Sequence, residues 1–299
     1  MATNVMLIGR GATGTVYRLN DHIVVKTAHE GEEEEADHAN EQKVFQVLGS
    51  GPRIPYLIGC IHIVPNHTFL EYAPNGSLAE LLNKHQKRNK ATAYRQVIAV
   101  TQNIDPNNIR RWMWQLCQAA VGFEAAGMVH GDIRPGNILF SSEWNVRLGD
   151  LDRSISTNDD LEAVSEPFGR LLSRAEGEGA GTYGTAGART EAFAIGSIYY
   201  TLLRGHEPYE MEDWGNEHYI ILMEKFQNRE FPPLDGSVGD TVIRKCWNAE
   251  YSSLVELSGE FMDAVHEDEI LVEDLERSEI LQEECKKIAQ SGVLDTLER

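Results

Sequence analysis

The sequence predicts an α+β fold in which short strands fill the N-terminal quarter and helices dominate the rest. Two observations carry this prediction. Apolar runs at residues 5–8 and 16–19 flank a glycine-rich loop, and a third run follows at residues 23–26. Helical signals come later, at residues 78–84, at residues 109–126 and within residues 260–299.

The loop between the first two predicted strands contains Gly9, Gly11 and Gly14. Glycine lets a backbone turn and approach a phosphate group without side-chain clash. A dinucleotide-binding glycine motif should open a helix, whereas this one joins two strands, so the pattern favours a strand, glycine loop, strand arrangement. The third strand carries Lys26, whose ammonium group would point toward the same phosphates.

A polar stretch in the middle of the chain has the spacing of a phosphoryl-transfer site. Asn137 lies five residues after Asp132, and Asp150 lies eighteen residues after it. Two short apolar runs, 138–140 and 146–148, predict a hairpin that would bring the carboxylates together. A transferring phosphoryl group carries spread negative charge, so this chemistry needs an oriented nucleophile and divalent cations.

Together these motifs resemble the eukaryotic protein kinase family from Met6 to about Tyr251. The resemblance implies a two-lobed fold, with a small antiparallel β N-lobe that holds one helix and a larger, mainly helical C-lobe. We expect the N-lobe at residues 1–73, the C-lobe at 74–258 and an acidic helical extension at 259–299.

The resemblance further implies a protein kinase that uses ATP and Mg²⁺ to phosphorylate a protein hydroxyl, most readily of serine or threonine. Asp132 would be the catalytic base, and Arg134 would meet the γ-phosphate in place of the family's usual lysine. Asn137 and Asp150 would bind the metal.

The remaining site residues are also implied by the resemblance. Lys26 and Glu41, the latter on a helix expected at residues 40–48, would form an ion pair that holds the lysine against the nucleotide. The backbones of Glu71 and Ala73 would face adenine. The full set of expected nucleotide contacts is Gly9, Gly11, Gly14, Val16, Val24, Lys26, Leu70, Glu71, Ala73 and Leu139.

Several positions depart from the family pattern. Gly131 stands where many protein kinases carry the arginine that receives an activation-segment phosphate, so we expect activity without such phosphorylation. Asp152 replaces a glycine and adds a carboxylate beside the expected metals. Glu191 replaces a helix-capping aspartate. The stretch from Gly177 to Gly187 contains five glycines, and no Ala-Pro-Glu closes the segment.

Two other functions stay open at this stage. A pseudokinase scaffold could keep the fold and bind nucleotide or a partner protein without catalysis. A small-molecule kinase of the aminoglycoside phosphotransferase or choline kinase type shares the His-Gly-Asp-x-x-x-x-Asn and Asp-x-Asp patterns. The complete glycine loop and the hinge favour the protein kinase.

Charge and composition narrow the partners and the compartment. The 299 residues carry a net charge of −20, which argues against nucleic acid or anionic membrane and favours protein substrates with basic flanks. The four scattered cysteines lack metal or redox spacing. No segment predicts a signal peptide or a membrane span, so we expect a cytoplasmic protein that binds no membrane.

Three charged segments carry separate expectations. The acidic run at residues 30–35 predicts a solvated loop that enters a helix. The basic residues at 86–90 begin an insertion of polar character. The acidic stretch 260–299 has apolar residues, including Ile270 and Leu271, at near-helical spacing, which predicts terminal helices packed on the C-lobe or on a regulatory partner.

Overall fold

A computed structural model of the chain describes residues 5–92, 94–262 and 275–297. Its first part is an antiparallel sheet in the order β1-β2-β3-β5-β4, with helix α1 (Glu32–Gly49) between the third and fourth strands in sequence. The strands are β1 (Met6–Arg10), β2 (Gly14–Arg18), β3 (Ile23–Ala28), β4 (Cys60–Val64) and β5 (His67–Glu71).

Strand β3 is buried along its whole length because both faces of the sheet are covered. Side chains alternate across a strand, so Val24 packs in the main core between the lobes. Ile23 and Val25 face the other side and pack in a second cluster. The alternation places Lys26 on the same face as Val24, which is the face that borders the inter-lobe cleft.

Helix α1 begins eight residues before the start that the sequence predicted. The acidic run therefore belongs largely to the helix rather than to a loop, with the four carboxylates of residues 32–35 in its first turn. Negative charge there interacts favourably with the helix dipole. The inward face of α1 buries Glu41, Val44, Phe45 and Leu48.

The second part of the chain is mainly helical and carries the larger core. Helices α3 and α4 pack against each other in its centre, and Trp247 and Phe123 are fully buried there. The helices are α2 (Leu78–Lys84), α3 (Pro106–Ala125), α4 (Ala188–Arg204), α5 (His218–Gln227), α6 (Val238–Trp247) and α7 (Leu254–Gly259). The sheet and helices together confirm the predicted α+β class with a β N-lobe and a helical C-lobe.

Three small two-stranded sheets complete this part. The hairpin of β9 and β10 has the predicted bounds, whereas the hairpin of β6 and β7 lies in the insertion for which the sequence predicted no strands. The strands are β6 (Gln86–Arg88), β7 (Val97–Val100), β8 (Met128–Val129), β9 (Ile138–Phe140), β10 (Val146–Leu148) and β11 (Ile155–Ser156).

The sequence predicted that terminal helices pack on the C-lobe or on a partner; within the described residues, helix α8 (Leu275–Gln290) packs instead on the N-lobe sheet. Cys285, Ile288, Leu294 and Leu297 cover the outer face of the sheet, opposite the cleft. The predicted apolar positions 270 and 271 lie outside the described residues. Among the described helices, none has the length and apolarity needed to cross a bilayer.

Candidate active site

A cavity of about 810 Å³ lies between the sheet and the helical part of the chain. Every residue that the sequence predicted for the site lines it, so the structure brings the whole set together. These residues are Gly9, Gly11, Gly14, Val16, Val24, Lys26, Glu41, Leu70, Glu71, Ala73, Asp132, Arg134, Asn137, Leu139 and Asp150.

Lys26 joins three elements at the back of this cavity. Its Nζ lies 3.1 Å from Glu41 Oε1 on α1 and 2.5 Å from Asp150 Oδ1. Burial opposes the charged form of the lysine, but the two carboxylates outweigh it and raise the pKa of Lys26. Burial likewise opposes ionisation of Asp150, but Lys26 lowers the pKa of this carboxyl. Burial raises the pKa of Glu41 against the attraction of Lys26. The lysine is therefore a fixed positive charge shared by two carboxyl groups.

The β9–β10 hairpin positions Asp150 next to Asn137. Its strands pair in register from Ile138 with Leu148, and the N–H of Gly149 donates to the carbonyl of Asn137 at 2.9 Å. Asp150 itself has a φ of 66°, a left-handed conformation that costs free energy in a residue with a Cβ atom. The closed hairpin explains why residues on either side of it meet in the cavity.

Asp132 is held by two neighbours from its own loop. Arg134 Nε donates to Asp132 Oδ2 at 2.7 Å. Asn137 Nδ2 donates to the same oxygen at 2.7 Å and to the backbone carbonyl of Asp132 at 2.9 Å. These bonds fix one carboxylate oxygen and leave Oδ1 without a hydrogen-bond partner among the described residues, in a side chain that lines the cavity.

Glu191 on α4 anchors the backbone of this loop. The N–H groups of His130 and Gly131 donate to its two carboxylate oxygens at 3.0 and 3.2 Å. Gly131 has a φ of 80°, and a Cβ atom there would lie 2.5 Å from the carbonyl oxygen of Arg153. An arginine at position 131 would therefore require a shift of the backbone.

The glycine loop is bonded to the segment that follows Asp150. Thr13 Oγ1 donates to Asp152 Oδ2 at 3.0 Å, and both side chains are buried. Burial and the nearby Asp150 carboxylate raise the pKa of Asp152. Gly14 is required at its position because a Cβ atom would lie 2.7 Å from the carbonyl oxygen of Thr27.

Helix α1 makes further contacts with the segment after Asp150. Asn40 Nδ2 donates to the backbone carbonyls of Asp152 and Ser154 at 2.9 and 3.2 Å. Arg153 Nη2 lies 3.3 Å from Asp37 Oδ2. Sequence reasoning missed Thr13, Asp37 and Asn40. Asp37 and Asn40 lie in the helical turn just before Glu41, and their spacing from Glu41 was the signal that could have indicated them.

A second polar group joins α1 to the sheet on the other side. Gln42 Nε2 donates to the carbonyls of Val64 and His67 at 3.0 and 3.2 Å. His38 Nε2 lies 3.2 Å from Thr68 Oγ1. Burial is the main cause that lowers the pKa of His38 to about 4, and the positive charge of Lys26 contributes in the same direction. These contacts hold α1 against β4 and β5, and so hold Glu41 opposite Lys26.

The end of β5 and the hinge after it carry Glu71 and Ala73, whose backbones the sequence predicted to face adenine, and both residues line the cavity. The side chain of Glu71 accepts from Arg147 Nε at 2.5 Å. The N–H of Ala73 donates to no group within the described part of the chain. Val24 and Leu70 give the cavity apolar walls at this end.

Two arginines in the stretch that follows Asp150, Arg153 and Arg170, already have acidic partners. Arg170 donates to both carboxylate oxygens of Glu176 at 2.6 and 2.8 Å. The hydrogen bonds from Arg170 are the largest cause that lowers the pKa of Glu176 to about 2, although burial acts in the opposite direction. Arg153 pairs with Asp37 as described above. Neither guanidinium group is therefore a free receptor for an added phosphate.

A family model described as "Protein kinase domain" matches residues 2–256. The chain belongs to the protein kinase family. Citron Rho-interacting kinase of Homo sapiens is 26% identical over 215 residues, which cover 69% of this chain and 10% of that protein. The L-type lectin-domain containing receptor kinase V.5 of Arabidopsis thaliana is 25% identical over 238 residues, which cover 74% of this chain and 33% of that protein.

The Cell cycle serine/threonine-protein kinase CDC5/MSD2 of Saccharomyces cerevisiae is 24% identical over 243 residues, covering 78% of this chain and 31% of that protein. The chain thus spans between about a tenth and a third of the length of these relatives. The family match confirms the resemblance that the sequence motifs indicated.

Proposed function

We propose that this chain is an active, ATP-dependent protein kinase that phosphorylates serine or threonine. One observation carries the proposal: Lys26 is bonded at once to Glu41 and to Asp150, while Asn137 and Asp132 share hydrogen bonds beside them. Phosphoryl transfer depends mainly on positioning and electrostatic stabilisation. The residues that would supply both are already in contact.

The residues present fit a Mg²⁺ ion, which prefers oxygen ligands and takes one or two carboxylates together with substrate phosphates. Both hydrogen bonds of the Asn137 amide use Nδ2, so its Oδ1 is left as an acceptor. Asp150 is bonded through Oδ1, and its Oδ2 has no hydrogen-bond partner in the described residues. Asn137 and Asp150 would hold the ion, which neutralises developing phosphate charge when bound.

ATP fits the cavity by the chemistry of its two ends. The apolar side chains of Val24 and Leu70 would cover adenine, and the free N–H of Ala73 would donate to it. Lys26 would meet the phosphates under the glycine loop. Asp132 would accept the proton of the acceptor hydroxyl through Oδ1, because Oδ2 is occupied by Arg134 and Asn137.

The two alternatives predict different behaviour. A pseudokinase would bind nucleotide without turnover, and the assembled contacts of Lys26, Glu41 and Asp150 favour catalysis over that function. A small-molecule kinase would phosphorylate metabolites, and the family match and kinase relatives favour protein substrates. Both alternatives are outcomes of the experiment below.

The net charge of the chain and its free cysteines support proposals about its protein partners and its cellular compartment. At −20, the chain should attract protein substrates with basic flanks at long range. A regulatory partner would meet the exposed carboxylates of Glu279 and Glu283 on α8. Four free thiols suit a reducing compartment, so we place the protein in the cytoplasm.

The test is phosphorylation of a peptide library with Mg²⁺ and ATP, beside a panel of hydroxylated and aminated metabolites. Asp150→Asn should lower peptide turnover by at least about a hundred-fold, because it removes the metal's carboxylate. Asp159→Asn, an exposed change outside the cavity, is the matched control. Equal turnover by parent and Asp150→Asn, or turnover of metabolites alone, would refute the proposal.

A further inference from the structure

The insertion between α2 and α3 concentrates positive charge in an acidic protein. Residues 81–104 contain five lysine and arginine residues and no aspartate or glutamate, whereas the whole chain has a net charge of −20. Strands β6 and β7 form a hairpin within this stretch. The five cations are Lys84, Lys87, Arg88, Lys90 and Arg95.

The hairpin is held firmly against the C-lobe. Val97 N–H donates to the carbonyl of Glu210 at 3.2 Å, and Gln86 Nε2 donates to the carbonyl of Gly205 at 2.6 Å. The ring of Tyr94 stacks on that of His218 with centroids 3.7 Å apart. These contacts hold the hairpin to the C-lobe at several points, so its backbone has a defined position relative to the C-lobe.

The outer cations of this hairpin are free to bind a partner. Arg88 pairs with Glu210 at 2.6 Å. Lys87, Lys90 and Arg95 are exposed, and within the described ranges none of the three pairs with a carboxylate. The acidic side chains that face the hairpin from the C-lobe include Glu207, Glu210 and Asp213, and the backbone carbonyl of Glu212 accepts from Tyr94 Oη.

Those carboxylates lie at the base of the hairpin. Asp213 accepts from Tyr94 Oη and from the N–H of Gly215, both at 3.1 Å. Glu207 and Glu210 line a cavity of about 320 Å³ with Arg88 and Arg95. Arg88 and Arg95 thus lie near carboxylates of the C-lobe, whereas Lys87 and Lys90 are exposed and do not line that cavity.

The helix that leads into the hairpin, α2, borders the candidate active site. Lys84, at the end of α2 just before β6, lines the 810 Å³ cavity together with Asp132 and Arg134. A polypeptide that places a hydroxyl at Asp132 would therefore pass near the hairpin.

We propose that the outer face of the β6–β7 hairpin, with Lys87 and Lys90, binds an acidic segment of the protein substrate. The proposal rests on the protein kinase function proposed above and deepens it. At physiological salt, exposed charges are screened beyond about 8 Å, so a bound segment experiences these local cations rather than the charge of the whole chain. Acidic residues are therefore expected where the substrate touches the hairpin, whatever its charge elsewhere.

The test measures binding and turnover separately. Fluorescein-labelled serine peptides with glutamate, neutral or lysine flanks are titrated with the full chain by fluorescence anisotropy, and the same peptides are assayed for phosphorylation. The double variant Lys87→Glu and Lys90→Glu reverses the charge at both outer lysines. Lys286→Glu with Lys287→Glu on α8 makes the same charge change far from the hairpin.

We expect the parent to bind the glutamate peptide most tightly at about 0.15 M salt, where screening limits the effect of the whole chain's net charge. The hairpin variant should weaken that binding at least about fivefold, the α8 variant less than twofold, and about 0.5 M salt should remove the difference. Equal binding of glutamate and neutral peptides by the parent, or equal losses in both variants, would overturn the proposal. If no peptide is phosphorylated, the proposed kinase function is refuted. The anisotropy measurement would still show whether the hairpin binds an acidic segment.

Discussion

Asn40→Ala should weaken the kinase without touching any predicted site residue. The amide of Asn40 makes two hydrogen bonds, to the carbonyls of Asp152 and Ser154. At about 1 kcal/mol net for each bond, their loss costs about 2 kcal/mol. This corresponds to about thirty-fold in the equilibrium between bonded and separated positions of α1 and this segment. The nearby Arg153 to Asp37 pair is partly exposed and should compensate little.

The assay has two readouts. Peptide turnover should fall by up to that factor, and amide hydrogen exchange should speed up in α1 and in residues 151–154. Asn103→Ala, which removes an exposed amide with no partner among the described residues, is the control and should change neither readout. Turnover within twofold of the parent, or a loss of turnover with unchanged exchange, would refute the reasoning.

Three further predictions address charge. Lys26→Met should abolish peptide turnover while circular dichroism shows a folded chain, because Glu41 and Asp150 lose their shared cation; full turnover would contradict the role assigned to this lysine. Phosphatase treatment, verified by mass spectrometry, should leave turnover within about twofold, because Gly131 supplies no cation for a phosphate; a tenfold loss that rephosphorylation restores would show that another cation does so. His38 has a folded pKa of about 4, below the unfolded value of about 6.5, so the unfolded chain takes up a proton first as the pH falls. Between pH 7 and pH 5 this histidine should therefore cost about 2 kcal/mol of unfolding free energy, and urea titrations of His38→Gln should lack that part of the acid sensitivity.

Local signals predicted the elements that build the centre of the site. Helix α2 has the predicted bounds because Ser77 and Glu80 form a capping box that fixes its start. The β9–β10 hairpin also has its predicted bounds, since two apolar runs flank a polar turn. The spacing of Asp132, Asn137 and Asp150 was sufficient because this hairpin is a local structure.

Contacts between distant segments were beyond prediction. The early start of α1 lies in a run of glutamates with no apolar periodicity, so no hydrophobic pattern marked it. Asn40 and Asp152 are 112 residues apart, and no sequence pattern states that they meet. The apolar spacing of the C-terminal stretch indicated a helix with a buried face, but such spacing does not say which surface covers that face.

The packing of α8 on the N-lobe sheet affects how the chain can fold during synthesis. Cys285 and Ile288 complete a cluster whose other members include Tyr17, Ile23 and Phe69 from the first quarter of the chain. On the ribosome, the N-lobe sheet would emerge early with this face open to water, and it would stay uncovered until residues 285–297 had been made. Contacts that span so much of the chain slow folding and prolong the exposure of apolar surface. The sheet that forms one wall of the inter-lobe cleft thus gains the cover of its outer face only after residues 285–297 have been made.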